Sequence, residues 1–439
     1  MSGSWIVVLV STTNQLLFSW PVRSGSYLLI FQLCTGTSFF IAHLLLFIQF
    51  VSIIAWADEP VRVASKGVRE TVVHAAREVS VHVPESLWSY KQYDLAFGSG
   101  LALGENGLLW GVTDRGPIIG EDCQEGVVCN GLRYALDDFS PLIVSLHQST
   151  HSHEYQANSA IPIHETLLEK NSMPGKRPGL ICNQEHLLDP EGVAIDQDGY
   201  FWIVEESNPA LLKVHPQSGA IQRRYVVGNG LPHILKYSQQ NKSFEGIAVA
   251  EDGDLWIALQ APLALELQDK GQASVIRLVK FSPESERAEM YAYSLHHISP
   301  SHRQEVKVSA IEAISDSRLL LLERVHDGES ERSYLTLLSY KGLVPLKEQK
   351  KKKKEIESRT SLAKFEDSLL KTISRTPLQD EWCGGFRKFE GMAYDAKRSE
   401  FILVQDTDFG VTDEESCEPS SSSGTTLCIL NISLASAFS

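Results

Sequence analysis

The sequence predicts an all-β fold: a β-propeller of about six blades, preceded by an N-terminal signal peptide or membrane anchor. Three observations predict it. A hairpin unit recurs along the chain, Asn-Gly or Asp-Gly turns sit at the centre of three of its copies, and the first 57 residues are apolar and almost uncharged.

The recurring unit is clearest at 189–206 (DPEGVAIDQDGYFWIVEE), 243–260 (SFEGIAVAEDGDLWIALQ) and 388–406 (KFEGMAYDAKRSEFILVQD). Weaker copies stand at 98–115 (GSGLALGENGLLWGVTDR) and 308–324 (VSAIEAISDSRLLLLER). Each begins with a short apolar alternation such as Val193 and Ile195, the mark of a half-buried strand. Turn residues follow: Asn106-Gly107, Asp198-Gly199, Asp252-Gly253. These supply the positive φ that tight hairpins need. A second apolar strand then follows, with Trp110, Trp202 or Trp256. A lone hairpin cannot bury a core, whereas radial stacking of four-stranded blades does so and leaves only short edges. A β-sandwich is the alternative, but it gives no reason for the repeat. The irregular spacing leaves room for an undetected blade or for insertions.

The leader, residues 1–57, has no Asp, Glu or Lys and one arginine, Arg23. Its apolar run from Ser26 to Trp56 ends in Ala55-Trp56-Ala57, a small-x-small pattern that predicts cleavage after Ala57. The run is also long enough to anchor the chain in a bilayer. Either way the rest is expected outside the cytoplasm, secreted or periplasmic, with a membrane contact only if the leader stays. Residues 58–92 are expected to be a strand segment leading into the propeller, and 93–439 the propeller itself. A Lys-rich insertion is expected at 346–375, with KKKKK at 350–354 and 348–374 as the best helical candidate. Outside the leader stand Cys123, Cys129, Cys182, Cys383, Cys417 and Cys428, an even set that suggests disulfides. The local pairs Cys123–Cys129 and Cys417–Cys428 are the expectation. Asn241-Lys242-Ser243 and Asn431-Ile432-Ser433 are glycosylation sequons. The formal net charge of -15 argues against a nucleic-acid partner. A monomer is expected.

The acids of the repeat are placed by its geometry. Three copies open on Glu-Gly, at Glu191, Glu245 and Glu390, and second strands end in Asp114, Glu205-Glu206, Glu323 and Asp406. A hairpin returns to the side it left, so both sets lie at one end of the blades, around the axial channel. Acids facing one channel repel each other unless a cation sits there or hydrogen bonds to the next blade hold them. Calcium, which takes six to eight oxygen ligands, is the expected cation. The expected ligands are Glu191, Glu245, Glu390, Asp406 and Asp114. Arg115, after Asp114, is placed to clamp an anionic substrate group, with Arg324 in the matching place. A salt bridge to neighbouring acids is the bland role for each. His186 and His233 are possible proton carriers, and the cluster His147, His151, His153 and Glu154 reads as a polar turn. There is no G-x-S-x-G, Walker, Rossmann or H-E-x-x-H motif.

These residues resemble a known family. DRGP at 114–117, DPEGVAID at 189–196, WIVEESNPALLKV at 202–214, FEGIAV at 244–249, LLLLER at 319–324, FEGMAY at 389–394 and QDTDFG at 405–410 are together similar to the phytase-like domain family, labelled "esterase-like activity of phytase". The resemblance runs from about Tyr93 to about Gly410. It implies an exported β-propeller and hydrolysis of phosphate or other esters. The expected activity is a metal-dependent phosphoric ester hydrolase acting on a small molecule. Arg115 would steady developing charge and Glu206 would act as base. The alternative is a non-catalytic propeller that binds a ligand or envelope partner through its acidic end face, and a lactonase-like acidic centre is a weaker variant.

Overall fold

The computed structural model describes residues 6–9, 15–22 and 25–32 and most of 72–433, leaving out chiefly 150–153, 166–187, 268–274, 327–330, 347–365, 412–416 and 420–424. The chain divides into two units, 1–67 and 68–439. In the first, Ile6–Leu9, Gln15–Val22 and Gly25–Gln32 pair in order as an antiparallel sheet. The predicted cleavage point and most of the leader's apolar run lie outside the described residues. No helix among the described residues is long and apolar enough to cross a membrane.

The second unit is a propeller, and among the described residues it has five blades where the sequence suggests about six. The innermost strands are Gly100–Leu103, Pro190–Ile195, Phe244–Val249, Val306–Ile314 and Phe389–Asp395, each contacting the next in this order and the last contacting the first. That closes the ring. The five hairpin copies are the five inner hairpins. Among the described residues, the long gaps between them hold excursions and outer strands. The first blade adds Leu109–Val112, Leu142–Gln148 and Tyr155–Pro162; the second adds Phe201–Glu205, Ala210–Val214 and Ala220–Val227. The third adds Leu255–Leu259, Val275–Ser282 and Arg287–Ser294; the fourth adds Arg318–His326, Glu331–Ser339 and Lys371–Pro377. The fifth adds Glu400–Gln405, Thr426–Ser433 and, as its outermost strand, Val72–His82 from the start of the unit. Antiparallel pairing of Val72–His82 with Thr426–Ser433 ties both ends of the domain into one blade.

The turns behave as their residues require. Gly107, Gly199 and Gly253 take φ of 79°, 82° and 81°. In the fourth and fifth blades Ser317 and Ser399 carry the positive φ instead. Trp202 and Trp256, on the second strands, are fully buried, Trp202 against Tyr225 and Phe281 of the neighbouring layers. Burial of such large apolar rings between blades supplies the core.

Glycine after the acid is explained by close approach of the blades. A Cβ on Gly100 would lie 2.7 Å from Gly192 Cα, and one on Gly192 would lie 3.2 Å from Gly246 Cα. A Cβ on Gly246 would lie 3.0 Å from Ala310 Cα, and one on Gly391 3.0 Å from the Gly100 carbonyl carbon. The inner strands therefore meet backbone to backbone around the axis. Pairing registers shift between Pro190 and Gly192, Phe244 and Gly246, Val308 and Ala310, and Phe389 and Gly391. Each shift is a bulge whose extra residue is Glu191, Glu245, Ser309 or Glu390. Bulges of this kind re-aim a side chain.

Two further expectations are corrected. The disulfides join Cys123 to Cys417 and Cys383 to Cys428, not the local pairs. The closed ring makes the first and last blades neighbours, so partners 294 residues apart meet; short spacing is a poor guide in such a topology. Two disulfides fit an oxidising compartment. The helical candidate and the Lys-rich insertion also end earlier than expected. Glu366–Ser368 is a single 3-10 turn and Lys371–Pro377 is a blade strand, paired in register with Glu331–Ser339. Lys350–Lys354 lie outside the described residues.

Candidate functional site

The inner strands begin, and the second strands end, at the same face of the propeller. Asp189 and Glu206 meet there through the Glu206 N–H, which donates to the Asp189 carbonyl over 3.0 Å. The Ser243 hydroxyl donates to the Glu206 carbonyl, and Gln260 N–H to the Ser243 carbonyl over 2.7 Å. These backbone links carry one blade's exit to the next blade's inner strand. They fix Asp189, Glu206, Glu245 and Gln260 side by side, all buried.

The arc formed by the fourth and fifth blades is neutralised internally. Arg324 donates from Nη2 to Glu390 Oε1 at 2.6 Å and from Nε to the Ser309 hydroxyl at 3.1 Å. Lys388 Nζ lies 2.6 Å from Asp406 Oδ2, 2.7 Å from Asp408 Oδ1 and 3.7 Å from Glu390 Oε2. Burial alone would raise Asp406, but Lys388 overrides it and holds the carboxyl below its ordinary range. Glu390 is raised by burial despite Lys388 and Arg324.

The arc formed by the second and third blades is different. Arg115 is the cation that bonds there: its Nη1 donates to Asp189 Oδ2 and to Asn241 Oδ1, each at 2.5 Å. Asn241, read as a sequon from the sequence, thus commits its amide oxygen to this face. Ser207 donates to the same Asp189 oxygen at 2.9 Å. Burial, and then repulsion from Asp189 and other acids, pushes Glu206 up to about 8. Glu191 and Glu245 are also raised well above the ordinary range, first by burial and then by neighbouring carboxylates. Asp114 is raised in the same way by burial, Asp406 and Asp189, although Gly116 N–H donates to its Oδ1 at 2.9 Å. Burial raises both Glu206 and Glu245, and repulsion from Glu206 raises Glu245 further, so a proton on the pair is favoured.

The oxygens not used in these bonds are informative. Asp189 Oδ1, Glu206 Oε1, Glu245 Oε2 and Gln260 Oε1 are buried and accept no hydrogen bond from the described residues. All four can only accept unless a carboxyl is protonated, and buried acceptors without donors cost about 1–3 kcal/mol each. Ligand oxygens of Asp189, Glu191 and Glu206 lie within 4.8 Å of one another. An ion about 2.3–2.6 Å from each oxygen needs that spacing. The donor set is oxygen only, as a hard cation such as calcium prefers. The acidic cluster can therefore bind a metal.

All seven residues singled out from the sequence stand at this face, but in two groups. Glu390 and Asp406 are paired to Arg324 and Lys388. Glu191, Glu206 and Glu245 belong to the arc where Arg115 supplies the positive charge, and Asp114 lies between the arcs. Arg324 takes the salt-bridge role. Asp189, Asn241, Gln260 and Lys388 were missed. Each sits two to four residues before a Glu-Gly or, for Gln260, at the position of Glu206 in its own repeat, so the alignment of repeats was the available signal. His233 rests against Gly228, in the crossing from the second to the third blade. His147 lies in the first blade's third strand, while His151, His153 and His186 are outside the described residues.

Solved structures with similar folds include a streptogramin B lyase, at 11% identity over 82% of this chain and 98% of that one, with a TM-score of 0.32. Another is the PQQ-bound aldose sugar dehydrogenase from Streptomyces coelicolor, at 12% identity over 82% and 99%, with a TM-score of 0.36. A luciferin-regenerating enzyme matches at 9% identity over 82% and 96%, with a TM-score of 0.34. At these scores the likenesses decide nothing about this chain. No curated protein matches it. The family comparison is decisive by contrast: residues 96–409, well over half the chain and spanning all five inner hairpins, match the Phytase-like family, described as "Esterase-like activity of phytase", and the chain belongs to that family.

Proposed function

We propose that this chain is an exported, metal-dependent hydrolase of phosphate or other esters, with calcium as its cation. The observation that carries the reading is the set of buried acceptor oxygens without donors on Asp189, Glu206, Glu245 and Gln260, beside a three-acid cluster of ligand spacing. Asp189, Glu191 and Glu206 would hold the ion. When bound, it supplies polarisation of an ester oxygen and acidification of a water.

We assign Glu206 as ligand rather than base because its oxygen falls within the cluster. Glu245 then takes the base role. Its carboxyl lies beside Glu206, whose charge favours its protonated form, and is held by Gln260. Arg115 stays charged, because Asp189 and Asp114 outweigh the effect of burial. It would steady the charge that develops on the ester. Glu390, Asp406 and Asp114 shape the channel from the ion-paired side.

The test is direct. The purified protein is assayed for bound metal, then for turnover of p-nitrophenyl phosphate, phytate and carboxyl esters with and without chelator. Turnover lost on chelation and in Glu191→Gln supports the reading. Turnover that survives both refutes the metal mechanism. Metal binding with no turnover of any ester leaves a binding propeller instead.

A further inference from the structure

The first blade's second and third strands are not joined by a tight turn. Between Val112 and Leu142 the chain makes a small sheet of Ile118–Ile119, Val127–Cys129 and Leu132–Tyr134. It leaves from the acidic face, directly after Asp114 and Arg115. Cys123 in it is bonded to Cys417, which follows the fifth blade's second strand at the same face. Tyr134 is held by pairing to both Ile118 and Val127. Behind it, Gly126 at φ 86° lies so close that a Cβ would fall 2.3 Å from the Tyr134 carbonyl oxygen. The Tyr134 backbone has no room to shift.

Tyr134 is 1% exposed, yet its hydroxyl makes no hydrogen bond among the described residues. Arg115 Nε, also buried, makes none either. The hydroxyl interacts electrostatically with Arg115, Asp189 and Asp114, so the two groups share one neighbourhood. Arg115 Nη1 is committed to Asp189 and Asn241, which fixes the guanidinium plane and with it the direction of Nε–H. Nε–H can only donate. Asp189 Oδ1 stands nearby as an acceptor without a donor, and neither group reaches it. The site thus contains donors with no protein acceptor next to acceptors with no protein donor. A cation satisfies only the acceptors. The donors call for an oxyanion.

We propose that Tyr134 Oη–H and Arg115 Nε–H form an anion subsite that grips a phosphoryl oxygen of the ester beside the three-acid cluster. The proposal deepens the hydrolase reading and rests on it for the identity of the substrate. A purely structural Tyr134 would gain nothing from a buried hydroxyl without a partner, and phenylalanine would serve as well.

Inorganic phosphate is the probe. It is titrated calorimetrically into the full-length protein, calcium-loaded and chelated, for the wild type, Tyr134→Phe and Arg115→Lys. The lysine keeps the charge and removes Nε. Calcium alone is titrated separately. Loss of a hydrogen bond to a charged group predicts about tenfold weaker phosphate binding in Tyr134→Phe, with unchanged calcium affinity and an unchanged melting temperature. Arg115→Lys should weaken phosphate similarly. Phosphate affinity equal to wild type in both folded variants overturns the subsite, as does a wild type that binds no phosphate. If calcium fails to bind while Tyr134→Phe still weakens phosphate, the subsite stands and the metal-hydrolase reading falls. If calcium-dependent turnover is present and phosphate binding ignores both variants, the reverse holds.

Discussion

In the metal-free protein, stability should fall as the pH rises, and Glu206 is one of several buried carboxyls that contribute. Glu206 is 3% exposed, and its carboxyl is pushed up to about 8 in the folded state, chiefly by burial and then by Asp189. In the unfolded chain it titrates near 4.3. Between those values the folded protein holds a proton that the unfolded chain has released, so stability declines with pH. The contribution is fully present below about pH 4 and is lost as pH rises through 8. At about 1.4 kcal/mol per pH unit, the loss from pH 5 to pH 8 is at most about 4 kcal/mol. An unfolding entropy of about 2.1 cal/mol/K per residue over roughly 370 residues gives about 0.8 kcal/mol per kelvin. The chelated protein should therefore melt about 5 °C lower at pH 8 than at pH 5. Calcium at about 100 times its Kd restores about 2.7 kcal/mol, or 3 °C, at pH 8. The variant Glu206→Gln separates this from other titrations. Without cation it should melt higher than wild type at pH 8, and calcium should no longer raise it. Differential scanning calorimetry across pH with chelator or calcium reads all four conditions. A chelated wild type whose melting temperature is flat or rising from pH 5 to pH 8, or a Glu206→Gln variant that calcium still stabilises, refutes the reasoning.

Four other outcomes follow from the fold. Gly100→Ala places a Cβ 2.7 Å from the Gly192 backbone, which cannot yield locally, so urea unfolding should show a loss of about 1–3 kcal/mol. Gly253→Ala meets nothing within 4 Å but must hold φ near 81°, so its loss of about 1 kcal/mol is conformational alone; Ser399→Gly, at φ 54°, should gain a few tenths by the opposite logic. Arg324→Met leaves Glu390 buried with only Lys388 at 3.7 Å, and chemical denaturation at pH 7 should show a loss of about 3–5 kcal/mol.

Much of this was legible in the residues, and the misses share a cause. The repeat gave the hairpins because period-2 apolar patterning and Asp-Gly turns are local signals. Glu191, Glu245 and Glu390 were legible because glycine follows each, and the glycine is there for the close approach of neighbouring blades. Blade count was not legible, since excursions such as 113–141 lengthen a blade without adding one. The disulfides were not legible because ring closure, a long-range event, decides which cysteines meet. Asp189 and Lys388 were overlooked although they occupy the same place, two residues before the Glu-Gly acid in their repeats. Their importance depends on the exit residue each faces across the hairpin, Glu206 for Asp189 and Asp406 for Lys388. That pairing is acid against acid in one blade and base against acid in the other, a contrast only the register makes visible.

The same contrast explains how a repetitive fold makes a directional site. Four bulges deliver the equivalent residue to the axis, and four of the five exit positions carry an ionisable group. Identical acids in every blade would give a symmetric ring whose repulsion no single ion could relieve. Here serine replaces glutamate at Ser99 and Ser309, glutamine replaces an acid at Gln260, and Arg324 and Lys388 answer Glu390 and Asp406 within 2.6 Å each. What remains unbalanced is confined to the second and third blades, where Arg115 supplies positive charge and the acceptor oxygens of Asp189, Glu206 and Glu245 lack donors. A cation entering the channel gains most at that arc, because elsewhere lysine and arginine already occupy the acids. Its position follows from which repeats lost their acid and which acquired a base.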